Sequence, residues 1–116
     1  MAHRRFAEEL EHASDNTAVG TSLWFENERV RVWEISLAPG QRAPFHAHTR
    51  PYFWTCVAPG QAIQRFVDGR EELLDYVDGQ TKFNYCTTAE PLIHDLENAG
   101  ESELRFVTVE LMDGGL

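Results

Sequence analysis

The chain has 116 residues, 42% of them hydrophobic, which suits one ordered domain with a real core. Its 19 acidic and 10 basic residues give a net charge of −9, a field that repels phosphate backbones and, with no basic stripe to offset it, speaks against nucleic-acid binding. No apolar run approaches the roughly 20 residues that span a bilayer, and "MAHRRFAEELEH" lacks a secretory stretch, so a soluble cytoplasmic protein is expected.

In chain order, residues 3–13 ("HRRFAEELEHA") are rich in helix formers, with Phe6 and Leu10 one turn apart, and predict one short helix. "SDNTAVG" breaks it, so residues 1–19 are read as an N-terminal extension, 20–112 as the domain and 113–116 as a tail. "TSLWF" and "RVRVWEISL" read as strands. The second alternates, with Arg31, Trp33, Ile35 and Leu37 on the better core face and Val30, Val32, Glu34 and Ser36 opposite. "APGQRAP" is expected to interrupt the pattern, and "YFWTCVA" is β-favouring but too continuous to show a polar face. "PGQ", "DGR", "DGQ" and "AGES" then punctuate the runs "AIQRFV", "EELLDYV", "TKFNYCTT", "LIHDLEN" and "LRFVTVELM". Short strands at such intervals predict an all-β sandwich or barrel. Cys56 and Cys86 form no CxxC pair and are expected to be buried thiols.

The chemistry concentrates in "PFHAHTRPYFW", residues 44–54. On a strand, His46 and His48 project to one face about 7 Å apart, close enough to converge on one ion at about 2.1 Å per bond. A third ligand must come from elsewhere. His3 and His12 lie in the N-terminal extension, whereas His94 sits within the strand-like "LIHDLEN".

These residues resemble the cupin superfamily. Gly40, five residues, His46 and His48 follow the first cupin motif, with Gly60 as its closing glycine, and Pro91, His94 and Asn98 follow the second. The resemblance covers residues 20–112 and implies a single-domain, cupin-type jelly-roll barrel. Two features depart from it. The motif glutamate is missing, its place falling on Tyr52 or Phe53, with Tyr52 favoured, and Ile93 replaces a glycine of the second motif.

The resemblance implies a divalent metal held by His46, His48 and His94. Without a carboxylate ligand such an ion keeps its full charge and favours anionic, chelating ligands. Three-histidine cupins include iron-dependent dioxygenases, so a non-haem Fe(II) oxygenase acting on a small anionic or chelating substrate is the leading expectation. Zn, Ni or Mn remains compatible with the ligand set. A non-redox cyclase, isomerase or lyase, and a binding module without turnover, are the other readings. Tyr52 would be a catalytic hydrogen-bond donor or a plain wall. Arg50 could clamp a substrate carboxylate, Trp54 and Cys56 share the parity of Tyr52 and could line the substrate cavity, and Asn98 suits a turn cap. Long apolar strands with exposed edges predict a homodimer, by strand exchange or sheet stacking.

Overall fold

The structure, a computed structural model, describes residues 6–112. Helix α1 (Ala7–Glu11) and a short 3-10 turn (Ala13–Asp15) precede nine strands. The first residues of the helix predicted over 3–13 lie outside the described residues. The strands are β1 (Ser22–Glu26), β2 (Val30–Leu37), β3 (Arg42–His48), β4 (Tyr52–Ala58), β5 (Gly60–Arg65), β6 (Glu71–Tyr76), β7 (Thr81–Asn84), β8 (Leu92–Asn98) and β9 (Leu104–Leu111). They pair antiparallel into two sheets, ordered β1-β2-β9-β4-β7 and β3-β8-β5-β6, the facing layers of a jelly roll.

The alternation read from β2 holds, since Ile35 and Leu37 are buried in the core cluster with Ala43, Cys56, Ala62, Leu96, Leu104 and Phe106. Gly69 and Gly79, in the two Asp-Gly turns, have φ of 99° and 85°, values that only glycine adopts without a Cβ penalty. Two expected breaks differ from the fold. Pro59 alone separates β4 from β5, because the two strands belong to different sheets and are joined by a corner rather than a hairpin. β3 begins inside "APGQRAP" at Arg42, whose register partner is Glu97 on β8.

One irregularity positions the site. Ala43 and His46 are three residues apart and would face opposite ways on a regular strand. A register shift between them, across Pro44 and Phe45, turns Ala43 into the core and also brings His46 inward beside His94. The Phe45 N–H freed by the shift donates to Glu9 Oε1 of α1 at 2.6 Å.

The two outer faces differ. Behind β8, the fully buried Asp95 accepts from Arg42 Nε at 2.7 Å, from Arg65 Nη1 at 3.0 Å and from the Arg65 backbone N–H at 2.8 Å. Arg42 also forks onto Glu9, and Arg65 donates to Glu97 at 2.7 Å. The Phe6 ring lies 4.0 Å from the Arg42 guanidinium, so the N-terminal segment covers this ion cluster. On the other sheet, Phe83, Phe53, Val109, Val32 and Phe25 form one registered row across all five strands, with Phe25 and Phe83 more than half exposed.

Candidate metal centre

Histidines 46 and 48 on β3 and His94 on β8 meet between the sheets, with His46 and His94 directly opposite in register. All three are buried, and their ring centroids lie 4.9–5.0 Å apart. One nitrogen from each falls within 4.8 Å of the others, and the Nε2 atoms of His48 and His94 are 3.1 Å apart. Two donors sharing one ion at about 2.1 Å per bond stand roughly 3.0–3.4 Å apart, so this separation suits a shared ligand sphere.

Hydrogen bonds set which nitrogen is free. His46 Nδ1 donates to the Pro44 carbonyl at 2.7 Å, leaving its Nε2 lone pair facing the centre. Gln64 on β5 fixes His94 in the same way. A carboxylate accepts, so Gln64 turns its Nε2 to Glu72 at 3.2 Å and its Oε1 to His94 Nδ1 at 2.5 Å. His94 Nδ1 therefore carries the proton, and its Nε2 points inward. His48 Nδ1, although buried, has no hydrogen-bond partner among the described residues. Burial, reinforced by the neighbouring histidines, holds His48 and His94 well below the ordinary imidazole pKa, and burial lowers His46 too. Three neutral, dehydrated imidazoles with converging lone pairs fit a divalent cation of borderline softness.

Tyr52 on β4 completes the wall. Its ring stacks on His48 at 3.9 Å and 9°, and burial drives the phenol pKa well above its usual value. Phe53 has the opposite parity and lies in the outer row, so Tyr52 is the aromatic facing the histidines. Trp54 also lines the cavity, in edge contact with Tyr76 and Phe106. The remaining predicted site residues lie elsewhere. Cys56, one further inward step along β4, is packed in the hydrophobic core, and Arg50, in the β3–β4 turn, does not line the cavity but eases the charge on Glu110. Asn98 caps the β8–β9 turn, donating to the Leu37 and Ser102 carbonyls and accepting from Gly100 N–H.

Sequence reasoning missed two polar residues here. Gln64 had no signal beyond inward parity, because its link to His94 is made across strands. Glu110, the register partner of Tyr52, is a buried carboxylate, but it accepts from Trp33 Nε1 at 2.7 Å and faces Arg31 instead of joining the histidines. Burial raises its pKa.

Gln64→Leu removes the acceptor that orients His94. It is expected to weaken metal binding about 10–100-fold in a chelator-competition titration, with little change in the melting temperature of the metal-free protein. Unchanged affinity would show that the strand geometry alone orients His94.

The cavity has two connected parts that share Tyr52, Trp54, Gln64, Tyr76 and His94. The inner chamber against the histidines measures about 40 Å³, and the outer vestibule, walled by β5, β6 and β7, about 360 Å³.

No family model matches the chain, and no curated protein does. Solved structures do. A cupin domain from Bordetella pertussis Tohama I is 24% identical, with 83% of this chain and 94% of that one covered at a TM-score of 0.69. A Klebsiella pneumoniae protein with a double-stranded β-helix domain is 20% identical, with 90% and 87% covered at a TM-score of 0.63. A Thermotoga maritima protein described as a predicted oxalate decarboxylase is 20% identical, with 74% and 69% covered at a TM-score of 0.55. Together with two antiparallel sheets enclosing His46, His48 and His94, this likeness shows that the chain has the double-stranded β-helix fold of the cupins, with a three-histidine cluster inside it.

Proposed function

We propose that the protein is a metal-dependent enzyme, an Fe(II) dioxygenase of the three-histidine kind acting on a small anionic or chelating organic substrate. The observation carrying this reading is the ligand set: three buried neutral imidazoles and, among the described residues, no carboxylate in the cluster. An iron ion held there, with its charge unreduced and positions open, would supply affinity for a chelating anion together with O₂ chemistry. The chain's own residues do the rest. Gln64 and the Pro44 carbonyl hold two rings in register, Tyr52 braces the third, and Trp54, Tyr76 and Phe106 give the chamber an aromatic wall.

A non-redox lyase reading has its own support, because one structural neighbour is described as a predicted oxalate decarboxylase and oxalate is a small chelating anion. Anaerobic loading with Fe(II) or Zn(II), followed by small diketones, thiol acids and dicarboxylates, separates the two. The proposal expects substrate-dependent O₂ uptake with iron and none with zinc. Turnover with zinc and no O₂ uptake would transfer the assignment to the lyase class, and binding without turnover would leave a ligand-binding module. In the same assay Tyr52→Phe keeps the ring stack, so metal affinity is expected to stay within about threefold. A turnover loss of roughly 100-fold or more would identify the phenol as an acid or hydrogen-bond donor rather than a wall.

A further inference from the structure

The two parts of the cavity divide the work of holding a ligand. The inner chamber, about 40 Å³, admits an ion and the reacting end of a molecule but no larger body. The vestibule, about 360 Å³, lies in the range of small-molecule sites, and its lining carries an unexpected charge. The whole chain is at −9, yet the formally charged side chains of this wall are Arg70 and Lys82 against Glu72.

These three are not equivalent. Arg70 is tied to Asp68 at 2.9 Å and lies against the Phe66 ring at 4.2 Å. Glu72 is engaged by Gln64 at 3.2 Å and faces Arg70 at 4.0 Å. The exposed Lys82 side chain makes no ion pair or hydrogen bond among the described residues. It sits on β7 opposite Trp54 of β4, on the parity that points Tyr52 and Asn84 inward, and it lines the vestibule. β6 and β7 are edge strands of their sheets, so Lys82 stands where the sandwich is open, in a wall that shares Trp54 and Tyr76 with the histidine chamber.

We propose that Lys82 is the specificity-determining residue of this cavity, holding the anionic head of a small organic acid whose apolar or aromatic body lies along Trp54 and Tyr76. The proposal deepens the function above and rests on it only for the delivery of the opposite end of the acid to the histidines. A lysine is a compact charge on a flexible stem, so it accepts a carboxylate or sulfonate without demanding a bidentate fit. The aromatic walls supply area, and the ammonium, which makes no ion pair among the described residues, supplies the choice of charge.

The test uses metal-free protein, so that no ion contributes to anion binding. The probes are 3-phenylpropionate and 3-phenylpropionamide, titrated calorimetrically at low salt into wild type, Lys82→Met and Lys82→Arg. Wild type is expected to bind the acid at least about fivefold more tightly than the amide, with the preference falling as salt rises. Lys82→Met should lose that preference with the amide affinity unchanged, and Lys82→Arg should restore most of it. An acid no tighter than the amide on wild type, including no binding of either, overturns the proposal, as does a preference that survives in Lys82→Met. Zinc stoichiometry is measured in parallel. A Lys82-dependent preference in protein that takes up no zinc supports the anion site and removes the metal reading instead.

Discussion

Replacing Asp95 by alanine is expected to lower stability by about 3–5 kcal/mol, the cost of breaking a buried ion cluster from one side. Denaturant unfolding of the metal-free protein measures it, and the matching fall in melting temperature is roughly 12–20 °C for a chain of this size. Asp95 is wholly buried and accepts three hydrogen bonds, two from guanidinium groups of separate strands and one from the Arg65 backbone. Its removal strands Arg65, which is 4% exposed, with Glu97 and Glu71 as partial compensation, and leaves Arg42 to Glu9 alone. Asp95→Asn keeps the volume and one acceptor, so a smaller loss is expected. Exchanging both partners for apolar residues, as Asp95→Leu with Arg65→Met, should recover part of the loss, since neither charge then remains buried without its partner. A loss under about 1 kcal/mol for Asp95→Ala would mean that water or the other carboxylates replace the missing group.

The second large effect concerns the histidines. His46→Ala, His48→Ala and His94→Ala should each weaken divalent-metal binding by more than about 100-fold, beyond the 10–100-fold typical of losing an outer hydrogen-bond partner. In wild type, metal at a hundred times its dissociation constant should add about 2.7 kcal/mol to stability, or roughly 10 °C. That increment should vanish in each variant. The metal-free variants should unfold close to wild type, because each removes a desolvated ring from a cluster whose nitrogens are incompletely satisfied. Equal metal-induced stabilisation in His94→Ala would place the ion elsewhere.

Much of this site was legible because two local rules govern it. Strand alternation put His46 and His48 on one face, and the resemblance of "PLIHDLEN" to the second cupin motif pointed to His94, which the fold sets directly across from His46. Parity grouped Tyr52, Trp54 and Cys56 against Phe53 but could not say which group faces inward; the fold turns Tyr52 and Trp54 into the cavity wall and Phe53 outward. Parity could not give depth along the strand, so Cys56 shares the face of Trp54 but belongs to the core. Nor could a local rule find the register shift at Pro44–Phe45, where Glu9 of a remote segment takes the released N–H. The strand of Asp95 was legible, whereas its two arginine partners are neighbours only through sheet pairing. Gln64 and Lys82 were silent for the same reason. Each acquires its role from a strand that lies far away in sequence, His94 for the first and Trp54 for the second.

X-ray absorption of cobalt- or zinc-loaded wild-type protein tests the central claim most directly. Three imidazole nitrogens at about 2.0–2.1 Å are expected, completed only by light oxygen ligands. A sulfur scatterer near 2.3 Å, or fewer than two imidazoles, would contradict a centre built from His46, His48 and His94.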